Sequence, residues 1–116
     1  MSVPTLALTV LCVLANGFEV AAKLARARFV LRNAAEVGVA PRWIPGLAAL
    51  EGAGTAGLIL GLLGWHRLGL AAAIGLVAFF VGAVGAHLRA RVLHNIAFPG
   101  AFLLLAIAAT VRFAGA

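Results

Sequence analysis

Long apolar runs broken by short polar clusters organise this chain. From Trp43 to Trp65, only Glu51 and Thr55 interrupt the apolar stretch. At ~1.5 Å per residue the two rings stand about 33 Å apart on a helix. A bilayer core of ~30 Å with an aromatic ring at each interface has nearly that length. Three further runs have the same character, and the pattern predicts helices over 4–24, 44–64, 68–88 and 95–112. Strand-like alternation is absent. Lipid offers no partners to backbone groups, so runs of this kind are expected to be helical. Pro4 and Pro99 fall in first turns, where a missing N–H costs nothing, and Pro41 and Pro45 punctuate the approach to the second run. The expected fold is all-α: a single integral membrane four-helix bundle over residues 1–116. Val13-Leu14-Ala15 resembles a signal-peptidase site, but no positive residue precedes the run, so it is expected to stay as a helix.

Composition strengthens this picture. The chain is 65% hydrophobic and 10% charged, with a mean hydropathy of +1.15. A soluble domain of this size has no interior large enough for so much apolar surface. Charge then adds direction. With four spans, Lys23, Arg26, Arg28, Arg32, Arg42, Arg89 and Arg91 fall beside the two loops that share one side, while Arg67 and Arg112 fall opposite. The positive-inside rule predicts a cell-membrane protein with both basic loops cytoplasmic and both termini outside. The net charge of +6 is thus a topology signal, and without a basic face on a soluble domain no nucleic-acid partner is expected.

Residues 25–40 form the long connection. Phe29, Val30, Ala34 and Val37 recur near helical spacing, and Arg28, Arg32 and Glu36 mark another face, with Arg32 and Glu36 at i, i+4. Two descriptions fit: an interfacial helix on the anionic leaflet, or a cytoplasmic extension of the first helix. Cys12 is the single cysteine, which excludes an intrachain disulfide or dithiol pair and leaves it as a small apolar residue.

Polar side chains at membrane depth carry the candidate chemistry, because burying them in lipid is costly unless they meet partners. Asn16, Glu19 and Lys23 lie three and four positions apart and share one helix face. Glu51 is about 12 Å along the second helix from Trp43, with Thr55 one turn deeper. His87 closes the third span. Alternating helix directions place Glu19, Lys23, Glu51 and His87 in the same half of the membrane. Glu51 and His87 are the candidate catalytic residues, as an acid/base pair, and Asn16, Glu19, Lys23 and Thr55 the candidate ligand-binding ones. Plainer roles stand beside these: Lys23 snorkelling to the interface, Glu19 serving only Lys23, and His87 sitting at the interface beside Arg89. No metal site is expected: His66 is on the opposite side, and His87 and His94 lack a carboxylate or thiol at ligand spacing. There is no nucleotide motif. Gly57 and Gly61, flanked by Gly54 and Gly64, and the stripe Gly75, Ala78, Gly82 and Gly85 are expected to let helices approach closely, and they leave a homo-oligomer open. His87 points more than about 120° away from that second stripe.

The order and spacing of Lys23-Leu24, Gly38-Val39-Ala40-Pro41-Arg42-Trp43, Leu50-Glu51-Gly52-Ala53-Gly54 followed by Leu58 to Gly61, and Gly82-Ala83-Val84-Gly85-Ala86-His87-Leu88-Arg89, with Pro99 in the last span, carry a resemblance. Together these stretches resemble the DoxX-like family of small four-helix membrane proteins. The resemblance covers roughly residues 16–112. It implies a compact bundle and a redox association, through a bound quinone or soluble redox partner proteins, with Lys23, Glu51 and His87 as the family's recurring polar positions. Three functions follow as expectations. One is a membrane subunit binding a quinone or other apolar small molecule in a polar pocket. Another is a free-standing isomerase or hydrolase using Glu51 and His87 on an apolar substrate. The last is a small proton-coupled transporter using Glu19, although a second buried carboxylate and the uneven charge depart from that pattern.

Overall fold

The computed structural model describes residues 2–115. Helix α1 (Val3–Leu24) starts where Ser2 accepts the Thr5 N–H on its hydroxyl at 3.2 Å, with proline in the first turn. A short amphipathic helix, α2 (Arg28–Glu36), and a 3-10 turn (Pro41–Trp43) lead into α3 (Ile44–Leu62). Then come α4 (His66–Arg89) and α5 (Ala97–Ala114). Four of these segments are long and apolar enough to cross a membrane. The expected spans agree with them to within a few residues. The long connection is a helix of its own, because α1 ends before it begins.

The C-terminal ends of α1, α3 and α4 are closed by backbone hydrogen bonds. At the end of α1, the Ala27 N–H donates to the Ala22 carbonyl at 3.0 Å and the Arg26 N–H to Lys23 at 3.1 Å, with Arg26 left-handed at φ 54°. The same pattern closes α4, where Val92 donates to His87 at 2.9 Å and Arg91 sits at φ 58°. Gly64 plays this part after α3, at φ 120°, at no steric cost. These turns satisfy carbonyls that would otherwise be orphaned at the membrane boundary.

The spanning helices form a four-cornered ring in which α1 packs on α3 and α5, and α4 packs on α3 and α5. Cys12, Leu58, Ala73, Leu76, Phe80, Ala106, Ala109 and Phe113 fill the centre. Large apolar side chains such as Leu14, Phe18, Ile74, Val81 and Leu104 point outward, as a lipid-facing surface requires. Trp43 and Trp65 stay exposed at opposite ends of α3. At one end of the ring, Arg112 Nη1 reaches the Ser2 carbonyl at 3.4 Å and Thr5 Oγ1 at 3.5 Å, joining the two ends of the described chain. At the other end, α2 meets the α4–α5 loop through Asn95 Nδ2 to Asn33 Oδ1 at 3.4 Å and His94 Nε2 beside Glu36 Oε2 at 3.2 Å. Glu36 is therefore paired across the fold rather than with Arg32. Val30 packs with Ala22 and Ile44, and Phe29 stacks on Phe18 with centroids 6.2 Å apart.

The two small-residue stripes have different fates. A Cβ at Gly57 would come within 2.5 Å of the Ala72 Cβ, and one at Gly61 within 2.5 Å of the Gly69 Cα. The GxxxG of α3 is thus the contact with α4, as expected. Gly75, Gly82 and Gly85 meet nothing within 4 Å and face outward. The face of α4 that meets its neighbours is instead Gly69, Ala73, Leu76 and Phe80. The expected close packing of the second stripe does not occur within the chain.

Candidate functional site

Side chains in a helix lean toward its N-terminus, so the stem of Lys23 runs back along α1 toward the membrane interior. There it meets α3, which runs antiparallel. The Lys23 ammonium donates to Glu51 Oε1 at 2.7 Å and lies 3.5 Å from Glu19 Oε2. Glu51 is completely buried, Lys23 keeps 15% of its side-chain surface and Glu19 keeps 26%. The pair expected from sequence spacing, Glu19 with Lys23, exists but is the longer of the two. The shorter contact is the interhelical one to Glu51. One cation shared by two carboxylates leaves this cluster with a formal charge of minus one when all three groups are ionised.

The remaining polar residues of the cluster are held by their own helices. Asn16, fully buried, donates to the Cys12 carbonyl at 2.9 Å and to Cys12 Sγ at 3.4 Å. Thr55 donates its hydroxyl to the Glu51 carbonyl at 2.8 Å, which ties it to the same turn of α3. Among the described residues three buried acceptors have no hydrogen-bond partner: Glu51 Oε2 and Asn16 Oδ1 in this cluster, and Asn95 Oδ1 in the α4–α5 loop. Buried oxygens of this kind are seldom left unmatched in folded proteins.

His87 is buried on α4, and its Nδ1 lies 2.9 Å from the Ala83 carbonyl one turn earlier. No hydrogen bond joins it to Glu51, whose partner is Lys23. Its position opposite the outward small-residue stripe agrees with the helical angle between them. A surface groove does run between α3 and α4, past Leu50, Gly54, Gly57, Leu68 and Phe79, but Glu51 points away from it toward α1.

Two features were missed in the sequence. Cys12 is a polar contact for Asn16 as well as a core residue, and its spacing of four from Asn16 was the available signal. The polar clasp between α2 and the α4–α5 loop joins residues 62 positions apart, and nothing local marks it.

No curated protein and no solved structure matches the chain. The model of the DoxX-like family matches residues 7–109, a stretch that runs from the first turns of α1 almost to the end of α5 and includes the whole Glu19–Lys23–Glu51 cluster. The chain therefore belongs to the DoxX-like family, as a multi-pass membrane protein of four apolar helices.

Proposed function

We propose that this protein is the membrane subunit of a redox system and binds a quinone or similar lipid-soluble ligand at the Glu51 cluster. The observation that carries the reading is a fully buried carboxyl, clamped by Lys23 through one oxygen and unmatched at the other. A carboxyl kept inside a membrane bundle has a large desolvation cost, and function is the usual reason for retaining it. Glu51 and Lys23 hold the polar end of the ligand, with Asn16 and Thr55 lining the deeper side and Glu19 at the rim. His87, with one of its two ring nitrogens against the carbonyl of its own helix, forms part of the neighbouring wall in this reading. The chain's one thiol is buried and alone, so any thiol redox chemistry in such a system would belong to soluble partner proteins. The basic end of the bundle faces the cytoplasm in this reading, where such partners meet it.

The test is binding in lipid nanodiscs of a decyl-tailed benzoquinone/hydroquinone couple, with both redox forms present. Wild-type protein is expected to bind the couple at micromolar concentration. Glu51→Gln, which preserves shape but removes the charge, is expected to lose at least ten-fold in affinity while keeping its helical circular dichroism. Wild-type protein that binds neither form, or a Gln variant of full affinity, overturns the proposal.

A further inference from the structure

Charge at one end of the bundle does not balance. Arg26, Arg28, Arg32, Arg42, Arg89 and Arg91 lie where α1 and α4 finish and α3 begins, and all six are exposed. The whole chain has three acidic side chains. Each is already engaged: Glu19 and Glu51 share Lys23, and Glu36 meets His94. Among the described residues no carboxylate forms an ion pair with any of these arginines. The anions that balance them come from outside the chain.

Helix α2 concentrates this excess. Arg28 and Arg32 each lie two positions from the buried Val30, about 160° around the helix, so they point away from the bundle. They are also four positions apart, which stands two like charges side by side on one face and destabilises a helix. The glutamate one turn beyond Arg32 does not relieve this, because Glu36 turns to His94 at 3.2 Å. A phosphodiester between the two guanidinium groups does relieve it, since each arginine fork can bond the unesterified oxygens.

Neighbouring aromatic rings indicate which kind of phosphate fits. Phe29 is three positions from Arg32, so its ring borders the arginine pair. That ring stacks on Phe18 with centroids 6.2 Å apart. Phe18 is 63% exposed on the lipid-facing surface of α1, about 9 Å in from the helix end at Leu24. Exposed Trp43 stands at the same end of the bundle, with the Arg42 guanidinium 5.7 Å from its ring centroid. A soluble acidic partner would meet the arginines but not a ring at that depth, whereas a lipid meets both. We propose that α2 binds an anionic phospholipid of the surrounding leaflet, with the phosphate between Arg28 and Arg32 and an acyl chain along Phe29 and Phe18. This site is separate from the Glu51 cluster, and it anchors α2 at the membrane boundary.

The experiment incubates the full chain in detergent micelles with equal amounts of dioleoyl phosphatidylglycerol and dioleoyl phosphatidylcholine, and counts retained lipids by native mass spectrometry. The two lipids share their chains and a phosphate and differ in net charge. Wild-type protein is expected to retain phosphatidylglycerol at least five-fold over phosphatidylcholine. Arg28→Gln combined with Arg32→Gln is expected to bring that ratio within about two-fold, whereas Arg67→Gln, at the opposite end of the bundle, leaves it unchanged. Should the double variant lose its helical circular dichroism, Arg32→Gln alone is expected to at least halve the ratio. A large excess of glycerol phosphate or of a polyglutamate peptide is expected to leave the lipid in place. Equal retention of the two lipids by wild-type protein, a preference that survives loss of both arginines, or one lost equally with Arg67→Gln overturns the proposal. Displacement by glycerol phosphate assigns the patch to free anions and displacement by the peptide assigns it to an acidic protein surface, and either result overturns the lipid site.

Discussion

Lys23 is the residue on which the buried cluster depends. Its ammonium is the cation facing Glu51, whose carboxyl has no contact with solvent or lipid. Truncating one partner of a buried pair leaves an uncompensated charge, typically at a cost of about 3 kcal/mol or more. Lys23→Ala is therefore expected to lower stability by about that much in reversible unfolding from mixed micelles. Adding Glu51→Gln to that variant is expected to recover more than half of the loss, whereas adding Glu19→Gln recovers little. A double-mutant cycle reads the difference directly, and additivity between Lys23 and Glu51 contradicts the pairing. The sequence already showed that Asn16, Glu19 and Lys23 share a face and that Glu51 is deep. It could not show which carboxylate Lys23 prefers, because that depends on the rotation and height of α3 against α1. Those are set by packing such as Val20, whose Cγ1 would lie 3.6 Å from a Cβ at Gly52.

Among the helices, the contact between α3 and α4 is the least tolerant of added volume. At Gly61 a new methyl would meet the Gly69 backbone at 2.5 Å and the Phe113 ring at 2.8 Å, and backbone cannot swing aside. Gly61→Ala is expected to cost about 1–3 kcal/mol through overpacking. Gly75→Ala and Gly82→Ala, which meet only open space, are expected to be neutral or to stabilise by up to about 1 kcal/mol through helix propensity. Thermal unfolding in detergent, followed by circular dichroism, separates the two classes. Arg91→Gly, at a left-handed position where arginine is strained, is expected to raise stability by about 1 kcal/mol in the same assay. The number, type and extent of the spanning helices were legible from apolar run length and proline placement, whereas the separate helix α2 was only one of two readings of residues 25–40. The choice of stripe was not, since α4 carries small residues on two faces and pattern alone does not say which one meets a neighbour.

For the molecule as a whole, four antiparallel spans and the contact of Arg112 with Ser2 place both ends of the chain on one side and α2 with the α4–α5 loop on the other. Single cysteines at Ser2 and Asn33, in a background with Cys12→Ala, turn that geometry into an orientation test in whole cells. An impermeant maleimide is expected to label Ser2→Cys and to spare Asn33→Cys, as the distribution of arginines implies. The opposite labelling reverses the orientation. The contact of Arg112 with Ser2 and Thr5 also bears on how the chain is threaded. Because α1 and α5 are neighbours and Arg112 touches Ser2 and Thr5, the ring of described helices has no seam. A short glycine linker from residue 115 back to residue 2, with the chain opened at Gly64, would deliver the spanning helices in the order α4, α5, α1, α3, with α2 still between the last two. Every helix would keep its neighbours, and the new ends would emerge on the side the old ones occupied. The bundle is in this sense a closed circuit that a circular permutant could enter at a different point.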